Sequence, residues 1–228
     1  GATWEQNNPY NPSESNIIIA GVLDLDFPEA AGKAIVIKAL TEISDLSLYG
    51  LGIANNGDGT DGQELILPSM SMSSGDLLWV VRDNNAYSNY FGPEIWETMN
   101  VFVDEEGFGT SHNGDDAVEL FFNGEAIDVF GLIDVDGTEQ PWEHTDSWAF
   151  RNCDARIPTT VFNISNWTIA TPNCTDEVED WATTDPSCQY PYWDCDELSN
   201  MIPNFGTSFT STLYDTVQVS ISPVNDAP

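Results

Sequence analysis

Basic side chains are nearly missing from this chain: 5 Lys and Arg face 38 Asp and Glu over 228 residues, a formal net charge of −33. That excludes direct binding of nucleic acid, because a phosphate backbone is held by Lys and Arg that displace its counterions. Anionic lipid is repelled for the same reason. Long apolar runs are also lacking. Ile17–Ala20 and Leu77–Val81 are the longest, far below the roughly 20 residues that cross a bilayer, so no membrane insertion is expected. Histidine is down to His112 and His144, and no CxxC pair occurs, which argues against a zinc centre. Neither G-x-S-x-G nor H-E-x-x-H is present, and no spacing pairs Ser111 or Ser147 with a His as nucleophile and base. Acid pairs abound, but their number alone does not define a glycosidase site. The chain is expected not to be an enzyme. It begins at Gly1 without a secretory or transit segment, and is expected to have lost an upstream piece by processing or excision.

What is present points to a β-rich globular body. Hydrophobic content is 41% and aromatic content 11%, enough to build a core without help from cross-links. The apolar period is two. Ile17–Leu23, Ala34–Leu40, Leu65–Leu67, Leu77–Val81, Val101–Val103 and Thr216–Ile221 read as strands. Val118 to Phe130 reads as a hairpin around Asn123-Gly124, a dipeptide that supplies the positive φ angles of a tight turn. Only Pro93–Asn100 looks briefly helical. Closely spaced Gly, Asn, Asp, Ser and Pro between short strands predict an all-β, antiparallel β-sandwich. Residues 1–15 are polar and read as an arm or linker, 16–222 as the sandwich, and 223–228 as an inter-module linker. Within the sandwich, 173–206 holds three of the four Cys and few β-branched residues, and is expected to be a disulfide-pinned loop insertion.

Cys153, Cys174, Cys188 and Cys195 allow three pairings of two disulfides. Short loops favour Cys153–Cys174 with Cys188–Cys195. Disulfides imply an oxidising, extracellular setting. Three N-x-S/T sequons, at Asn163, Asn166 and Asn173, fall in the same region and are candidate glycosylation sites.

Carboxylates could hold Ca²⁺, a hard cation that takes oxygen ligands, or simply form a solvated acidic face. Asp58 and Asp61 lie in a Gly-rich stretch that alternates flexible residues with oxygen donors. It does not fit the EF-hand pattern, and a hairpin loop is the simpler reading. Asp134 and Asp136 would point the same way on an extended strand, as two co-ligands must. Of the 8 Trp, most are expected in the core. Tyr190-Pro-Tyr192-Trp193 lies between two cysteines and could be displayed to a ligand such as a glycan.

Asn113–Gly131, with Asp45-Leu46-Ser47-Leu48-Tyr49, Ser74-Gly75-Asp76-Leu77, Trp148–Arg151 and Phe162–Thr168, resembles the lamin-tail domain family. The closer likeness is to its secreted, bacterial-type branch, over roughly residues 16–172. The resemblance implies an immunoglobulin-like β-sandwich without catalytic residues, used as an interaction or accessory module and sometimes attached to secreted nucleases or phosphoesterases. It also explains Asn166-Trp167-Thr168 as part of a closing motif. Pro223-Val-Asn-Asp-Ala-Pro228 resembles the junction between tandem cadherin-like modules, which implies Ca²⁺ held by Asn225 and Asp226 between neighbours. The expected role is a non-catalytic structural or adhesive module of a large secreted, surface or filament protein, partnered by neighbouring modules or by copies of itself. The alternatives are a carbohydrate-binding module and an accessory domain of a secreted nuclease.

Overall fold

A computed structural model describes residues 16–192 and Cys195. The expected arm 1–15, the strand 216–221, the linker 223–228 and most of 193–206 lie outside the described residues. So do Trp193, Asn225 and Asp226.

Among the described residues, ten strands form two sheets. In chain order they are β1 (Ile17–Asp24), β2 (Lys33–Ala39), β3 (Tyr49–Ala54), β4 (Leu65–Ile66), β5 (Leu77–Val81), β6 (Val101–Val103), β7 (Ala117–Phe122), β8 (Glu125–Phe130), β9 (Ser147–Arg151) and β10 (Trp167–Ile169). The six-stranded sheet runs β10-β9-β1-β2-β5-β6 and the four-stranded sheet β4-β3-β7-β8. All neighbours pair antiparallel except β5 and β6, which pair parallel. The expectation of a purely antiparallel fold fails there, because a helical crossover separates those two strands. A parallel pair needs such a crossover, whereas an antiparallel pair needs only a turn.

Alternation decides which side chains enter the shared core. Ile35, Ile37 and Ala39 of β2 face the four-stranded sheet, where they meet Leu51, Ile53, Val118, Leu120 and Ile127. The intervening Ala34 and Val36 face outward into a second apolar layer. A central strand covered on both faces is apolar throughout, so β1 and β2 read as nearly continuous hydrophobic runs. The β7–β8 turn is as expected: Asn123 has φ 50° and Gly124 φ 82°.

The second layer holds the crossover. Helix α1 (Asn84–Phe91) was not anticipated; the sequence suggested only the region of α2 (Pro93–Trp96). Asp83 caps α1, its carboxylate accepting from the Asn85 and Ala86 N–H groups at 2.8 and 2.9 Å. Gly92, with φ 85°, ends the helix. Tyr87, Tyr90 and Phe91, at helical spacing, are buried: Tyr87 and Phe91 pack on Trp79 of β5 and Trp96 of α2, and Tyr90 packs on Phe27 and Phe91. The Tyr87 hydroxyl donates to the Gly32 carbonyl at 2.6 Å, giving a buried polar tip its partner.

Candidate functional site

The two acidic stretches meet at one end of the four-stranded sheet. The loop after β3 and the loop after β8 are joined by Gly59 N–H donating to the Ile133 carbonyl at 2.9 Å. Gly57, at φ 73°, packs so closely on Val135 and Asp136 that an added Cβ would stand 2.3 Å from the Asp136 nitrogen. The turn before β7 completes the cluster. Asp116 accepts from Asn56 N at 2.6 Å and Asn113 N at 3.1 Å. Asp115 accepts from the Thr138 hydroxyl at 2.9 Å.

Backbone donors occupy two of these carboxylates, Asp116 and Asp136. Asp136 accepts from Thr138 N at 2.9 Å, and the backbone and hydroxyl of Thr138 hold its carboxyl below the usual range. Asp134 lies in the turn closed by Val135 N and Leu132 O and Asp136 between that turn and the next, not on the extended strand that would have aligned them. Asp61 sits beside Glu119 of β7. Burial pushes the Glu119 carboxyl up; the Thr60 hydroxyl opposes this and the charge of Asp61 adds to it. Among the described residues, no group of three or more His, Cys, Asp or Glu is placed to hold a metal ion.

A second polar centre, not singled out from sequence, links the sheets. Asp128 of β8 and Arg151 of β9 pair at 2.7 Å with side chains 0% and 1% exposed. β1 shifts register between Ile19 and Gly21. Ile19 N–H is taken by Asp128 at 2.8 Å and Ile19 C=O by Arg151 Nε at 2.7 Å. Asp128 also accepts from Thr159 N at 2.9 Å, and the Arg151 guanidinium lies 4.6 Å from the Trp167 ring centre. Burial raises the Asp128 carboxyl, and Arg151 and the two N–H donors pull it back.

The only imidazoles of the chain are sealed. His112 and His144 are 0% exposed, their ring centres 6.0 Å apart. Burial lowers both, His144 to about 4. Lys33 explains part of this: its ammonium donates to the His112 carbonyl and to Asp24 at 2.9 Å. Both rings are enclosed, whereas a general base must reach a substrate proton.

The expected display of Tyr190 is corrected. It is 1% exposed, wedged among Trp79, Trp148 and Phe150 with ring centres 5.5, 5.6 and 6.0 Å away. It lies over Gly21, where an added Cβ would stand 2.0 Å from its hydroxyl oxygen. Tyr192 is half-buried on Trp181 and Phe91, at 5.1 and 5.4 Å. Aromatic contact area, not ligand access, fixes this segment.

The cysteines also depart from the expected pairing. Cys153 and Cys195 are the disulfide-bonded ones, and Cys174 and Cys188 are free thiols. Loop length was a poor guide, since doubling a loop costs only about 0.6 kcal/mol of closure entropy. Folded position decides instead. Of the sequons, Asn163 and Asn173 are exposed and Asn166 is half-buried. Asn163 Oδ1 accepts from Ser165 N at 3.1 Å, capping the turn Ile164–Asn166.

Searches against protein-family models and against curated proteins find no match for this chain.

Proposed function

We propose that this chain is a non-catalytic structural or adhesive module of an extracellular protein, with the immunoglobulin-like, lamin-tail type of sandwich that its sequence resembles. The observation that carries the reading is the Asp128–Arg151 centre. It ties β1, β8 and β9 across both sheets through buried, charge-assisted bonds, which suits a bead that must keep its shape. The chemistry-bearing groups support the same reading, since both imidazoles are enclosed and Tyr190 is core. Surface acidity disfavours nucleic acid as a partner and leaves cations, neighbouring modules, glycans or further copies of the chain. The two-residue edge strand β4 carries Ile66, 62% exposed, and offers unpaired backbone groups to another strand.

Ca²⁺ enters this reading through Asn225 and Asp226. A thermal melt of the chain joined to a following module, in millimolar Ca²⁺ and then in chelator, tests it. A cation at about 100 times its Kd adds roughly 2.7 kcal/mol, an increase that Asp226→Ala should abolish. A melt indifferent to Ca²⁺ removes the cation from the proposal. A glycan array tests the rest: saturable sugar binding would replace the spacer reading with a carbohydrate-binding module.

A further inference from the structure

Two free thiols, Cys174 and Cys188, stand together. Cys174 packs on the second apolar layer and Cys188 is buried, with the Cys174 thiol within hydrogen-bonding reach of the Cys188 thiol. Consecutive residues of β9 hold both in place. The Ser147 hydroxyl lies 3.5 Å from Cys174 Sγ, and Trp148 Nε1 donates to the Cys188 carbonyl at 2.7 Å. The flanking backbone is set by turns: Cys174 N donates to Thr171 O at 3.2 Å and Cys188 N to Asp185 O at 2.7 Å. Between them, the segment is seated on α1, with Trp181 N donating to the Tyr90 carbonyl at 2.8 Å.

We propose that Cys174 and Cys188 are a second cross-linking pair, which closes to a disulfide by exchange with a low-molecular-weight disulfide such as oxidised glutathione. In the first step one thiol loses its proton to solvent. Its thiolate attacks a glutathione sulfur, forming a mixed disulfide and releasing one glutathione thiolate. The other cysteine, losing its own proton, then displaces the second glutathione thiolate. The pair gives up two electrons and two protons, and one disulfide becomes two thiols. The bond pins the strap 174–188 over α1 and the Tyr190 cluster. Closure is slow at neutral pH: burial and the neighbouring Cys188 push the Cys174 thiol up to about 12, so little thiolate is present. The inference does not rest on the module reading, because it follows from the fold alone.

The test is thiol mapping of the whole chain after equilibration in glutathione buffers of graded oxidation, quenched by alkylation and read by peptide mass. Under oxidising buffer the expected result is a cross-linked peptide containing Cys174 and Cys188, with neither alkylated. The oxidised chain should melt roughly 5–10 °C above one in which only that pair is reduced. The double variant Cys174→Ser/Cys188→Ser should show no such shift, which separates this pair from Cys153 and Cys195. Wild-type mapping does not depend on the variant's folding. Full alkylation of Cys174 and Cys188 while Cys153 and Cys195 stay protected would overturn the proposal. So would a cross-link from either thiol to Cys153 or Cys195.

Discussion

Arg151 is one of only 5 basic residues, and the fold places it in the interior. Its guanidinium serves the Ile19 and Ile157 carbonyls, the Asp128 carboxylate and the Trp167 ring at once. Lys38 is likewise buried, and Lys33 is engaged with Asp24. Arg151→Met should cost about 3–5 kcal/mol in a urea titration, because it strands Asp128 in a site that cannot hydrate it. Adding Asp128→Leu should recover only part of this. The Ile19 and Thr159 N–H groups would still lack acceptors, and a buried orphan donor costs roughly 1–3 kcal/mol. Full recovery by the double variant would mean the pair serves no backbone role.

Among the elements, α1 shows how a local signal becomes a long-range constraint. Asp83 starts it, and Tyr87, Tyr90 and Phe91 bury its inner face. The helix lies in the crossover that lets β6 run parallel to β5. Removing the cap by Asp83→Ala should destabilise the chain by about 1 kcal/mol, without changing its near-ultraviolet circular dichroism. A collapse of that aromatic signal would show that the cap also fixes the packing of the second layer. The strap 174–188 depends on the same helix, since Trp181 N–H and the Tyr90 carbonyl are paired.

For the whole molecule, pH is the informative variable. His112 and His144 are buried neutral, with folded-state values below the unfolded value of 6.5. Groups of this kind contribute stability that is complete above pH 6.5 and is lost as pH falls toward 4, because only the unfolded chain takes the proton. For His144, held at about 4, the loss amounts to about 3 kcal/mol. Asp24, Asp116, Glu119 and Asp128 act in the opposite sense. Burial raises each, so their contribution is present at low pH and lost as pH rises through the folded-state value. Urea midpoints measured at pH 7 and pH 4.5 should fall less for His144→Phe than for the unsubstituted chain. Parallel losses would show that the buried imidazole is not the group responsible.

Period-two apolar runs and Asn123-Gly124 were enough to read most of β1, β2, β5, β6 and the β7–β8 hairpin from sequence, because alternation and turn chemistry are local. Helix α1 went unread: Asp83 and the spacing of Tyr87, Tyr90 and Phe91 are its local signals, but the surrounding strand pattern masks them. The two acidic loops were identified correctly as acidic, yet their meeting through Gly59 and Ile133 depends on pairing between distant strands. Whether a carboxylate faces a cation or caps a turn is decided by such meetings, and here Asp116 and Asp136 cap turns. Asp128 and Arg151, separated by 23 positions, carry no mutual signal along the chain; the shift in β1 at Ile19 brings them together. Cysteine count was likewise a sequence property, and cysteine pairing was not. Composition and alternation thus determined charge, β-rich class and most strands. Tertiary structure alone decided which polar groups meet, since those contacts join residues that only the sheet topology makes neighbours.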